Sequence, residues 1–202
     1  MKTILILFFA YLLFQNQNVK INTDISDQEY KIYSIIIDSL YRFPSTKIIV
    51  ICDSTNKDYF LERSDIYSNG IDSLYLKIVI KGFNLPDSNY IYNDYMLKNS
   101  KKYMLSEERF YFNINLSFVS KRKIKTIFES KLVDGWQEFY EQYPNSTGFI
   151  ELTRIGFNES NDRAIVYVEN YCGGLCGEGH YLLLEKKENN WKIIKRKGIW
   201  VS

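Results

Sequence analysis

Apolar positions along this chain change their spacing several times, and each change predicts an element. The first is a run without polar interruption from Ile4 to Phe14, behind Lys2 and ahead of Gln15-Asn16-Gln17-Asn18. From Asp27 to Phe43, residues Tyr30, Tyr33, Ile36, Ile37, Leu40 and Tyr41 recur every three or four positions. That spacing predicts a helix, opened by an Asp cap and stopped before Pro44. Lys47 to Cys52 is short and β-branched, which predicts a buried strand with Cys52 in the core. Leu74 to Phe83 suits a strand by composition and a helix by length; the helix is favoured. Asp87 to Lys98 follows Pro86 and carries Tyr90, Ile91, Tyr95 and Leu97, a second short helix.

Strict alternation then takes over. Phe110, Phe112, Ile114, Leu116 and Phe118 fall on one side of a strand from Phe110 to Val119. Ser120 is placed to cap a helical turn over Lys121 to Phe128. Asp134 is placed to cap another that runs to Tyr143 and ends at Pro144. On the latter, Trp136, Phe139, Tyr140 and Tyr143 share a face, and core packing explains them better than a ligand groove. Beyond Pro144 the pattern is all β, in Phe149 to Phe157, Ala164 to Tyr171, His180 to Lys186 and Trp191 to Val201. Turn chemistry separates these strands at 158–162, 172–179 and 188–190, as in an antiparallel meander. The expected fold is α+β, with N-terminal helices packed on one face of a C-terminal antiparallel sheet. A cone-shaped, nuclear-transport-factor-like layout is one arrangement this order allows.

Length adds little beyond one domain, because 202 residues with 46% hydrophobic content make one ordinary core. A formal charge of +2 supplies no bulk field for nucleic acid or an anionic membrane surface. The N-terminal run changes the picture more. Its eleven residues rise about 16 Å as a helix, roughly half a hydrocarbon core. With Lys2 in front, the segment 1–18 has the shape of a secretory signal peptide, leaving a single domain over 19–202. Ala10 is the only alanine nearby, so the usual small-x-small cleavage pattern is missing and an uncleaved anchor is the alternative. A membrane partner is implied only if the segment is retained. The expected location is the periplasm, the cell envelope or the outside of the cell.

Export changes how the densest local motif reads. Cys172-Gly-Gly-Leu-Cys176-Gly-Glu178-Gly-His180 has four glycines, so the backbone there needs positive φ or very close approach. In an oxidising compartment Cys172 and Cys176 form a structural disulfide if their Cα atoms come within roughly 4.4–6.8 Å, and are otherwise simple buried thiols. A thiol-disulfide redox pair is the sharper alternative. Its Cys-x-x-x-Cys spacing is not the Cys-x-x-Cys of thioredoxin-type sites, and Glu178 nearby would raise a thiol pKa. A metal site from Cys172, Cys176 and His180 is one ligand short of a closed zinc site, with Cys52 or Glu178 as a fourth.

No nucleophile motif accompanies the sole histidine. Glu138 and Glu141 read as a solvated helix face, and the glycine loop lacks a Walker lysine. No catalytic residue and no cofactor is assigned.

The C-terminal third adds a resemblance. The strings DGWQEFYEQYPNSTGFIELTRIGFN, AIVYVENYCGGLCGEGHYLLLEKKENNWKII and IWVS contain GW-x-x-FY, YP-N-S-x-G, R-x-GFN, VYV, CG-x-LCG-x-G and a terminal W-x-S. They resemble an uncharacterised family of small exported bacterial proteins. The resemblance implies a shared fold and export, and brings no activity or substrate with it. The expectation is a noncatalytic binding or structural module of the cell envelope, with an envelope protein or a small ligand as its partner. The alternative is the redox protein working through Cys172 and Cys176.

Overall fold

The computed structural model describes residues 24–56, 71–111, 113–129 and 134–202. The predicted signal segment lies outside them, as does Phe112. Among the described residues no helix is long and apolar enough to cross a membrane.

Helix α1 (Asp27–Leu40) begins one residue earlier in its capping than expected. Ser26, not Asp27, is the cap, and Glu29 returns the bond to the Ser26 backbone in a capping box. Strand β1 (Ile48–Cys52) follows, then α2 (Ile71–Gly82) and α3 (Ser88–Lys98), so helix prevails in the ambiguous middle segment. Phe110 lies outside β2 (Asn115–Val119), yet it packs on the same core as Ile114, Leu116 and Phe118, stacked on Tyr33. The alternation was therefore real, but only its second half is paired in the sheet. Helices α4 (Lys121–Glu129) and α5 (Gly135–Gln142) are capped by Ser120 and Asp134, as the sequence predicts.

The expected strand from Phe149 to Phe157 is two strands, β3 (Ser146–Leu152) and β4 (Gly156–Phe157). The break has a cause. The Asn99 side chain accepts from Arg154 N at 2.7 Å and donates to Arg154 O at 3.0 Å, replacing a ladder partner and letting the Arg154 side chain turn inward. Strands β5 (Arg163–Gly173), β6 (Cys176–Lys187) and β7 (Asn190–Val201) complete the meander.

The sheet is mixed, in the order β2-β1-β3-β5-β6-β7 with β4 against β5. Strands β3, β5, β6 and β7 are antiparallel, but β1 pairs parallel with both β2 and β3. The helix pairs between β1 and β2 and between β2 and β3 are the crossovers that parallel neighbours require. Helices consequently cover both faces, not one. Ile49 and Ile51 face α1, together with Ile150, Leu152, Val166 and Leu182. The alternate residues Val50, Cys52 and Phe149 face α4 and α5, while Ile165, Tyr167, Tyr181 and Leu183 face α2 and α3.

Two backbone features shape the end of the sheet nearest the β5–β6 hairpin. Gly148 has φ +86°, and a Cβ there would collide with the Tyr171 carbonyl, so only glycine fits. In β7 the register jumps between His180↔Gly198 and Gly179↔Trp200. The extra residue re-aims Trp200 to the opposite face from Gly198, where the indole lies over Gly179 and donates to the Tyr167 hydroxyl at 2.9 Å.

Candidate functional site

The loop singled out by sequence is a tight hairpin at one end of the sheet. Cys172 and Cys176 form a disulfide with a Cα separation of 5.0 Å. So small a ring removes loop entropy worth about 2 kcal/mol. Its glycines serve the second of the two expected purposes. Among the described residues Gly148 is the only positive-φ glycine, whereas Gly177 and Gly179 admit the Trp200 ring at close range. Tyr140 Oη donates to Cys172 O at 2.8 Å and ties the hairpin to α5.

Four sequence-singled residues are brought together here, though not as a metal centre. The two sulfurs bond one another, so no thiolate is left to ligate. Among the described residues no group of three His, Cys, Asp or Glu side chains is placed to hold a metal. Cys52 is on the other face of the sheet, where its Sγ donates to Glu151 Oε1 at 3.5 Å; burial, with Glu151 adding, pushes this thiol far up and keeps it unreactive.

Glu178 and His180 point to the α1 face, because both alternate with Leu182. Glu178 Oε1 pairs with the Arg196 guanidinium at 2.8 Å, and Glu178 Oε2 lies 3.0 Å from His180 Nε2. The same His180 nitrogen touches Arg196 NH2. Glu178 needs a proton on Nε2 while Arg196 needs a lone pair, so one nitrogen meets only one of them at a time. Burial pushes the imidazole below its ordinary value, the Arg196 charge adding and Glu178 opposing, which leaves His180 neutral at pH 7. Its contact with Glu178 is then a hydrogen bond, not an ion pair.

A groove of about 560 Å³ runs across this end of the sheet. Phe43 and Leu175 stand at its rim, 54% and 92% exposed, and Leu40 continues the apolar wall. Tyr41, Asn170 and Glu178 supply polar lining. Tyr41 ends α1 and is 2% exposed, and burial pushes its phenol up, with Glu178 adding. Its hydroxyl has no hydrogen-bond partner among the described residues. Among the described residues His180 Nδ1 is the other buried side-chain atom left unanswered; it lies toward Gly198, while Nε2 of the same ring meets Glu178. Orphaned buried polar atoms are few in folded proteins.

Sequence reading missed a second polar cluster, on the opposite face between the α2–α3 and α4–α5 packing. Glu151 on β3 and Glu169 on β5 are direct cross-strand partners. Asn56 donates to Glu151 and, at 3.4 Å, to Glu169; Lys121 Nζ reaches Asn56 Oδ1 at 2.6 Å and Glu151 at 3.2 Å. Glu169 Oε1 accepts from Tyr167 at 2.9 Å and from Trp200 at 3.1 Å. Burial, then Glu151, raises the Glu169 carboxyl above its ordinary value. Every polar group in this cluster is answered within the chain, as in a structural network. The available signal was an acid in the middle of the apolar strand Ala164 to Tyr171.

A further groove, between α2 and β7, is lined by Tyr75, Ile78 and Phe83, with Lys195 Nζ donating to Phe83 O at 2.7 Å. No protein-family model, curated protein or solved structure matches the chain.

Proposed function

We propose that this protein is an exported, noncatalytic binding module of the cell envelope whose ligand site is the groove beside the Cys172–Cys176 hairpin. The observation that supports this is the groove itself, about 560 Å³ walled by the exposed Phe43 and Leu175, with the part-exposed Glu178 carboxylate in its lining beside a hairpin that the disulfide fixes. Covering such walls returns about 25 cal/mol per Å² of apolar surface buried, and a few polar groups in the lining orient what binds. A disulfide at an exposed hairpin tip supports an oxidising location, as does the apolar leader. Two bulges in β7 bend that strand, which supports a cone-shaped, nuclear-transport-factor-like layout.

Serine at the two exposed wall positions, Phe43→Ser and Leu175→Ser, tests this. Each is expected to change stability by less than about 0.5 kcal/mol in urea unfolding, as side chains that pack on nothing in the free protein do. A loss above about 2 kcal/mol would show that the walls serve the fold, and the groove would lose its claim. Thiol alkylation after cell fractionation checks the location: an exported protein with Cys172 and Cys176 protected and Cys52 free once denatured is the expected result, and a fully alkylated cytoplasmic protein would refute it.

The second reading, a thiol-disulfide redox protein using Cys172 and Cys176, draws on the exposed Leu175 and Cys176 at the hairpin tip. An equilibrium with glutathione separates the two. A structural disulfide stays closed, with a potential below about −300 mV, whereas a redox pair exchanges.

A further inference from the structure

We infer that the groove between α2 and β7 is a second binding site, for a single-chain amphiphile with a carboxylate head, of the fatty-acid class. It is separate from the hairpin groove, because α2 packs with Tyr181 and Leu183 on the sheet face opposite α1. Its volume is about 610 Å³, inside the span of roughly 300–1,000 Å³ that small-molecule sites occupy. Tyr75, Ile78 and Gly82 recur at helical spacing along one side of α2 and, with Phe83, form its floor. Ile78 is 57% exposed although the next residue, Val79, is buried. A Cβ added at Gly82 would meet nothing within 4 Å, so the floor is open at that end.

The opposite wall is cationic. Lys195 and Lys197 lie across from Leu183 and Tyr181 in the sheet, which turns both lysines to the α2 side. Arg196 between them turns the other way, to Glu178. Among the described residues no carboxylate lines this groove. Lys195 Nζ donates to Phe83 O at 2.7 Å, so it answers the carbonyl end of α2, which would otherwise repel an anion. Lys197 has no such task and is exposed, which leaves its ammonium to meet a carboxylate. An apolar floor beside a cationic wall suits a ligand that is apolar along its length and anionic at one end. An extended acidic peptide added to the sheet edge is disfavoured by β7 itself. Register breaks at Ile194 and Ile199 leave only Lys195 to Gly198 regular between them, and such bulges interrupt the row of backbone groups an added strand must pair with.

Amide chemical-shift mapping of the protein tests this with decanoate, octanoate, decyltrimethylammonium and an extended Glu-Val octapeptide. Decanoate is expected to shift amides of 75–83 and 194–198 and to bind about tenfold more tightly than octanoate, because two further methylenes are buried. Its affinity is expected to fall as salt rises from about 0.05 to 0.5 M. Lys197→Gln is expected to weaken it about threefold and to flatten that salt dependence. Gly82→Leu, which fills the open end of the floor and favours the helix, is expected to remove binding with the thermal midpoint kept. Equal binding of decyltrimethylammonium would overturn the anionic class, and decanoate binding that neither variant weakens would overturn the assigned contacts. Shifts of β7 amides by the octapeptide and not by decanoate would replace the amphiphile with an added strand. Decanoate shifts confined to 40–43 and 170–178 would overturn this site and leave the hairpin groove standing.

Discussion

Arg154→Met is expected to lower folding stability by about 3–5 kcal/mol at pH 7, the largest loss from a single side chain in this protein. Arg154 and Glu29 are each about 1% exposed. The guanidinium grips the carboxylate in two places, Nε to Oε1 at 2.7 Å and NH2 to Oε2 at 2.9 Å, and lies 4.4 Å over the Tyr103 ring. Glu29 in turn caps Ser26 and accepts from Ile155 N at 3.3 Å. One pair thus fixes the start of α1 to the break between β3 and β4. Methionine keeps the volume but leaves a buried carboxylate without its cation.

The pH dependence identifies the mechanism. Burial acts to raise the Glu29 carboxyl, but the Arg154 hydrogen bonds and charge outweigh it and hold the group below 4.5. A depressed carboxyl stabilises the fold above its unfolded value, and that contribution disappears as pH falls through the folded value. Without Arg154 only burial and weaker contacts remain, the carboxyl rises, and the slope reverses: the variant loses stability as pH climbs past the raised value. The double variant Glu29→Met with Arg154→Met is expected to recover part of the loss, since no unpaired charge is left. Urea unfolding at pH 4, 5.5 and 7 checks this. A loss below about 1 kcal/mol with an unchanged pH slope would contradict it.

Glu169→Gln is expected to do the reverse, raising stability by about 1–2 kcal/mol near pH 7 and by little below pH 4.5. Burial, then the facing Glu151, lifts the Glu169 carboxyl above 4.5. For a raised carboxyl the favourable contribution is complete below the unfolded value and lost as pH rises through the folded one. Glutamine stays neutral throughout. Its oxygen can still accept from Tyr167 and Trp200, and its nitrogen replaces the oxygen that accepts from Asn56 at 3.4 Å, a long bond whose loss is smaller than the relief of a buried charge facing Glu151. Thermal unfolding from pH 4 to 8 is the measurement. Destabilisation at every pH would mean that the anion itself holds Trp200 and Tyr167 in place.

Those two clusters show where sequence reading succeeds and where it stops. Periodicity located α1, α5 and the meander because each of these buries a stripe of apolar side chains that repeats with its own geometry, as Tyr30, Tyr33 and Ile37 do on α1, whereas length decided α2 and a cap residue marked α4. It did not reveal that β1 lies parallel to β2 and β3, since Ile48–Cys52 is buried on both faces and reads alike in either orientation. Ser26 and Glu29 form a capping box that was visible in the string Ser-Asp-Gln-Glu. That the same Glu29 also holds Arg154, far along the chain, was not visible, because such a partnership exists only after the strands are ordered.

The candidate site divides in the same way. Spacing and the implied compartment made a Cys172–Cys176 disulfide one reading among three, beside a redox pair and a metal site, and Glu178 and His180 were singled out by proximity to them. Tyr41 was read as one more apolar position on a helix face. Its side chain is indeed buried with that face; what sets it apart is a hydroxyl with no hydrogen-bond partner among the described residues, a condition that arises only once α1 packs on the sheet.

The claim on which the functional account rests is therefore local, and a crystal soaked in isopropanol and ethylene glycol addresses it most directly. Density for a solvent molecule in the groove between Phe43 and Leu175, within hydrogen-bond reach of Glu178, is the expected result. Solvent gathered instead between α2 and β7, with none beside the Cys172–Cys176 hairpin, would contradict the account.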